Sequence, residues 1–345
     1  MKALALLAIG SWLLLDAQQT GVPGRGPKFA VRSDLVFLPT RVQQRNGDTI
    51  YSLNPGQFVV EDNGVRKNVQ VDEEPDTTGI SLAVVVQCGR SAASEFHKLR
   101  GLPAMIDAIT GGAPHEVAVI SYGEQPYLLG DFAKSSGAMR AAFAKLKSCG
   151  DYHAASIDAV DYAIHRLQTR PTHYRRAILL IGEIRDHGSR AKLSEVVAEL
   201  GIRDTVIYTV AFSPSRDEFL DGFRDHPPKP PAAAAASSDP SNYTDHAPLL
   251  ELPPEFVMLM NSVRRDTAHE LAALSGGESM SFTTQRGFDE ALDLISNQIH
   301  NYYLLSFVLP AAAEPSLHTL RVRVPDFPDA VIQTRRNYWS GILDR

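Results

Sequence analysis

Clustered positive charge is missing from this chain of 345 residues: no long run of Lys or Arg occurs, and the formal net charge is −6. That argues against a nucleic-acid backbone as the main partner, because such affinity rests on grouped cations. After the first fifteen residues no apolar stretch approaches the roughly 20 residues that a membrane helix takes. Cysteine is scarce, with only Cys88 and Cys149. No Gly-x-Ser-x-Gly elbow occurs, so a serine hydrolase of that type has no support. No Gly-x-Gly-x-x-Gly follows a strand and no Gly-x4-Gly-Lys-Ser/Thr occurs, which leaves nucleotide binding without a motif. The eleven histidines are scattered. No His-x-x-x-His pair marks zinc on one helix, and His165 and His173 flank a helix end as surface or capping residues.

What is present is ordinary globular composition, 44% hydrophobic and 21% charged, enough to bury a sizeable core. A soft prior of about 100–200 residues per domain gives about two domains. The first residues supply Lys2, an apolar run from Ala3 to Leu15, and the small residue Ala17 for cleavage after Asp16. That run fits a signal peptide over residues 1–17 and hence an exported, periplasmic or extracellular protein. No Cys follows it, so a lipid anchor is not expected. In an exported chain an even cysteine count suggests a disulfide.

Residues 28–75 alternate in short runs with turn signals: Phe29 to Val31, Leu35 to Leu38, Phe58 to Glu61, and Val65 to Val71 after the Asp62-Asn63-Gly64 turn. This predicts a small all-β unit. From residue 78 to 301 the rhythm changes. Apolar runs at Ser81 to Val86, Glu116 to Tyr122, Arg176 to Ile181 and Thr205 to Phe212 suit strands buried on both faces of a parallel sheet. Helical spacing lies between them, at 94–110, 137–147, 154–168 and 193–200. It returns at 255–274 and 288–301, with a short strand at 279–283 between. The pattern predicts a doubly wound α/β sheet. Residues 213–254, rich in Pro and Ala, are expected to be a flexible insertion. The tail, 302–345, is β again, at Tyr302 to Leu309, Leu317 to Val324 and Val331 to Arg335. The simplest assembly packs the N- and C-terminal strands into one β-sandwich with the α/β segment inserted between them.

Three segments carry a family resemblance. Leu82 to Val86 followed by Gln87-Cys88-Gly89-Arg90-Ser91 resembles the first strand of von Willebrand factor type A (VWA) domains, which ends in Asp-x-Ser-x-Ser. Ala154-Ala155-Ser156-Ile157-Asp158-Ala159 is similar to the family's Thr-Ala-Leu-Tyr-Asp-Ala segment. Arg176 to Glu183, with Asp186-His187-Gly188-Ser189 after it, resembles the strand that ends in Thr/Ser-Asp-Gly-Glu-Asp. The flanks, Phe58 to Gly64, Tyr302 to Phe307 and Arg336 to Trp339, resemble the bacterial VWFA-related branch. The resemblance spans nearly everything from residue 28 to 345 except the insertion.

In that family the loops after these strands hold a Mg²⁺ ion with oxygen ligands and leave one position for a partner's carboxylate. Here the resemblance implies a largely lost site. Gln87 stands for the first Asp, Gly89 for the first Ser, Ala154 for the Thr and Glu183 for the second Asp. Only Ser91 is kept. No cofactor is expected. A rearranged cation site using Ser91, Glu183, Asp186 and Asp151 is the alternative. The resemblance also brings the loops of Cys88 and Cys149 together, which implies a disulfide across the site; two separate thiols remain the other possibility.

The function expected is an exported, non-catalytic interaction module. Its unknown protein partner meets the face of Gln87, Gly89, Arg90, Ser91, His153, Ala154, Glu183, Arg185 and Asp186, with Arg90 and Arg185 receiving acidic groups. The alternatives are a structural envelope scaffold and a hydrolase using Cys88 or Glu183. Cys88 follows a strand and precedes a helix, where thiol pKa values fall, but a Cys-x5-Arg loop would need Arg at 94, where Ser94 stands.

Overall fold

The computed structural model describes residues 34–72, 79–110, 114–171, 174–202, 204–212, 254–309 and 316–340. The signal-peptide reading over 1–17, the strand expected at 29–31 and all but the last residue of the 213–254 insertion lie outside them. Alternating apolar residues in the N-terminal part form β1 (Asp34–Gln43), β2 (Val59–Asp62), β3 (Val65–Lys67) and β4 (Gln70–Asp72). The single strand expected from Val65 to Val71 is two. β3 pairs with β2, whereas β4 pairs with a C-terminal strand in a different sheet.

The apolar runs then form β5 (Ile80–Gln87), β6 (His115–Tyr122), β8 (Arg175–Glu183) and β9 (Thr205–Phe212), with β7 (Pro126–Ala133) and β10 (Ser279–Phe282) at the sheet's edges. The order is β10-β9-β8-β5-β6-β7. Every pairing is parallel except β6 with β7. Numbered from β5 within this sheet, the order is 3-2-1-4-5-6, the doubly wound arrangement. β5 and β9 are buried at every position, so both sheet faces must be covered.

Helices provide the cover. They are α1 (Arg90–Ala93), α2 (Leu102–Ile109), α3 (Ser136–Phe143), α4 (Ser156–Gln168), α5 (Leu193–Ile202), α6 (Pro254–Arg265), α7 (Thr267–Ser275) and α8 (Gln285–His300). Period-2 alternation divides the strand side chains between two layers. Leu82, Val84 and Val86 pack with α2, α3 and α8 through Ile106, Met139, Leu292 and Ile295. Ala83 and Val85 pack with α4 to α7 through Val160, Ile164, Val197, Met260 and Leu271.

The C-terminal part gives β11 (Tyr303–Leu309), β12 (Ser316–Arg323), β13 (Val331–Thr334) and β14 (Asn337–Ser340). They interleave with the N-terminal strands in two sheets, β13-β1-β11-β4 and β14-β12-β2-β3. Val36, Leu38, Leu305 and Phe307 of the first sheet share a core with Val60, Leu320, Val322 and Tyr338 of the second. The fold is therefore a doubly wound α/β sheet inserted between N- and C-terminal strands that form a small β-sandwich. No helix among the described residues is long and apolar enough to cross a membrane.

Candidate functional site

In an open doubly wound sheet the crevice that receives ligands lies outside the carboxyl ends of the strands, where the strand order reverses. Here that point falls between β5 and β8, which end at Gln87 and Glu183. The two residues meet there: the Glu183 backbone N–H donates to Gln87 Oε1 at 2.8 Å. Gln87 Nε2 in turn donates to Ser91 Oγ at 3.0 Å, and the Ser91 hydroxyl helps to hold the Glu183 carboxyl below its ordinary value. A carboxamide both donates and accepts, so Gln87 ties the loop after β5 to the end of β8 with one side chain.

Glu183 finds its charge partner four residues on. His187 Nε2 lies 2.7 Å from Glu183 Oε2. The Ala154 N–H donates to the His187 carbonyl at 2.9 Å and His187 N–H returns a bond to the Ala154 carbonyl at 3.1 Å, which brings the third loop to the same spot. Burial raises the pKa of Glu183, but the bonds from His187, Ser91 and Gln87 outweigh it and hold the carboxyl below its ordinary value. The bond to Glu183 raises the pKa of His187 against the opposing effect of burial. Sequence reasoning missed His187 as a site residue. Its signal was the Glu183-x-x-x-His187 spacing outside any helix.

Two glycines permit this close approach. A Cβ on Gly89 would stand 3.0 Å from the Asp151 carbonyl oxygen and 3.2 Å from that of His153. A Cβ on Gly182 would stand 2.0 Å from the Tyr122 hydroxyl. That hydroxyl is buried below the site and has no hydrogen-bond partner among the described residues.

Cys88 and Cys149 form a disulfide with Cα atoms 5.3 Å apart, inside the usual range of about 4.4–6.8 Å. The Cys149 N–H also donates to the Cys88 carbonyl at 2.9 Å, and the Arg90 N–H to that of Asp151 at 2.8 Å. The loop ahead of α4 is thus stitched to the loop after β5. Asp186 is half-buried and turned to structural work. Its Oδ1 accepts from Ile157 N at 3.0 Å, Ser156 Oγ at 3.1 Å and Ser189 Oγ at 2.6 Å, capping the first turn of α4 where a helix favours negative charge.

On the outer surface Arg90 is exposed, with its guanidinium 3.8 Å from the centre of the Tyr152 ring and Nε donating to Gly150 O at 3.0 Å. His153 and His187 are both exposed, with ring centres 6.3 Å apart. Arg185 is exposed too and bonds the Arg265 carbonyl at 3.2 Å.

No protein-family model matches this chain, and no curated protein does. It is similar to several solved structures. The SpRpn10 VWA domain shares 13% identity over 42% of this chain and 80% of that one, with a TM-score of 0.32. The PilB minor pilin from Streptococcus sanguinis shares 12% over 67% of this chain and 63% of that one, at 0.41. BatB from Bacteroides thetaiotaomicron shares 12% over 64% of this chain and all of that one, at 0.37. The chain's own strand order, with the three resembling segments meeting at one carboxyl edge, makes the fold VWA-like.

Proposed function

We propose that this chain is an exported, non-catalytic protein-interaction module that docks an acidic partner on the carboxyl edge of its central sheet, without a divalent cation. The observation that carries the reading is the chain of bonds that runs from Ser91 through Gln87 and Glu183 to His187. A Mg²⁺ ion wants near-octahedral oxygen ligands. Gly89 and Ala154 offer no side-chain oxygen, and the carboxamide oxygen of Gln87 is taken by a backbone N–H. The one carboxylate among the matching positions is already neutralised by an imidazole. These residues do not fit such an ion.

Two exposed arginines on the loops of this edge support the choice of partner. Arg90 lies on the loop after β5 with its guanidinium 3.8 Å from the centre of the Tyr152 ring, and Arg185 is exposed on the loop after β8. Planar guanidinium groups suit carboxylates in two-pronged contact. The Cys88–Cys149 bond suits an oxidising compartment outside the cytosol. It also occupies the thiol that a cysteine hydrolase would need.

Two measurements test the reading. Retention of the folded chain on an immobilised Glu-rich peptide is expected to fall at least about tenfold when Arg90 and Arg185 are both changed to Glu, and to weaken with added salt. Unchanged retention overturns the acidic partner. Calorimetric titration with Mg²⁺, Ca²⁺ and Mn²⁺ is expected to show no micromolar site at this edge. Micromolar binding that disappears in Glu183→Ala overturns the metal-free half.

A further inference from the structure

We propose that Asp161, His165 and Glu199 form a binding site for a divalent transition-metal cation, zinc by its chemistry, where α4 and α5 lie side by side. One ligand atom from each of the three residues lies within 4.8 Å of the others. Asp161 and His165 are four apart on α4 and so share one face of that helix. Glu199 comes across from α5. The place is remote from the carboxyl edge, which meets α4 only at its first turn.

The imidazole separates this group from an ordinary acidic patch. One nitrogen and two carboxylates suit zinc, with water completing a four-coordinate shell. The outer contacts fit as well. His165 Nδ1 lies 2.9 Å from the Asp161 backbone carbonyl, a contact that orients the ring; with the proton on Nδ1, Nε2 keeps its lone pair for a metal. Gln168, on the same face of α4, donates to Glu199 Oε2 at 3.4 Å. Helix α5 is itself held near α4 by Asp158, whose carboxylate accepts from the N–H groups of Arg190 and Ala191 at 2.8 and 2.7 Å.

Charge is left over at this place. Asp161 Oδ1 lies 3.5 Å from His165 Nδ1, and an exposed helix ion pair would need nothing more, so Glu199 is what a simple pair leaves unexplained. Among the described residues no Lys or Arg pairs with Asp161 or Glu199, and the nearby Lys192 pairs with Glu195 instead, at 3.2 Å. Glu199, Asp158 and Glu195 all set negative charge near Asp161. A bound dication relieves that crowding and crosslinks the two helices.

The test is a competition titration of the full chain with Zn²⁺ against a chromophoric chelator, paired with the visible absorption of the Co²⁺ form. One equivalent is expected to bind at micromolar affinity or tighter. Asp161→Asn, His165→Ala and Glu199→Gln should each weaken it at least about tenfold, while His187→Ala at the carboxyl edge should leave it unchanged. Zinc should also raise the melting temperature of the parent chain and not of His165→Ala. All three side chains are partly exposed, so the variants should keep the parent's urea midpoint without metal. Affinity no better than millimolar overturns the site. So does zinc binding that survives His165→Ala or is lost in His187→Ala. Neither result bears on the acidic partner proposed for the edge.

Discussion

At Gln87 a carboxamide occupies a position where a carboxylate would change the whole neighbourhood. A carboxylate there could only accept, and it would set a second negative charge beside Glu183. The amide instead donates to Ser91 and accepts from the Glu183 N–H, and the remaining charge is met by His187. The pair has a testable pH signature. His187 is raised above 6.5 in the folded chain, so its stabilising contribution is complete below that value and fades as pH climbs through the raised one. Glu183 is lowered below 4.5, so its contribution is present above that value and is lost as pH drops through the lowered one. The charged pair therefore persists between the lowered Glu183 pKa and the raised His187 pKa. An NMR titration of His187 is expected to show a midpoint above 6.5 that returns to the ordinary imidazole range in Glu183→Gln. A parent midpoint at or below 6.5 contradicts the pairing.

At the scale of elements, the carboxyl edge is a set of loops with little regular structure, and covalent and backbone bonds fix it. The disulfide closes a loop across a sequence separation of 61 residues, and bonds of this kind typically contribute about 2–4 kcal/mol. Changing both Cys88 and Cys149 to Ser should lower the stability measured by urea unfolding by about that amount with the slope nearly kept. No change in midpoint would place the bond's effect elsewhere. The elements themselves were legible in proportion to burial. β5, β8 and β9, covered on both faces, stand out as apolar runs. β7 was missed because it is a half-exposed edge strand with Gly130 inside it and a register irregularity against β6. The stretch 255–274 carries helical spacing throughout, yet it breaks at Asp266, whose side chain accepts from His269 N and restarts the helix as α7. A cap inside a periodic run is visible only as one Asp among many. In the site, Gln87, Gly89, Ser91, Ala154 and Glu183 were legible through motif positions. Tyr122 was not, because it reaches the site by tertiary approach, and His187 carried only its four-residue spacing from Glu183 as a signal.

At the scale of the whole molecule, the sandwich is tied into the α/β layer by more than chain continuity. β14 belongs to a sandwich sheet, but Trp339 is fully buried among Ala159, Phe256 and the other residues of the α4–α7 layer. Its ring centre is 4.1 Å from that of Phe256. Four residues earlier, buried Arg335 donates to the Leu200 carbonyl of α5 at 3.0 Å, and burial lowers its pKa to about 10. The C-terminal strand therefore completes the core of the inserted layer. Emptying the Trp339 site should cost about 3–5 kcal/mol, as for other buried Trp→Ala changes. That loss should appear in both halves at once, since the same strand serves both. Trp339→Ala is expected to lower the urea midpoint seen by far-UV circular dichroism, which is weighted to the helices, and by exchange of the sandwich amides of β1 and β11, by the same amount. A midpoint that moves for the helices alone would mean that the sandwich folds without the layer it encloses.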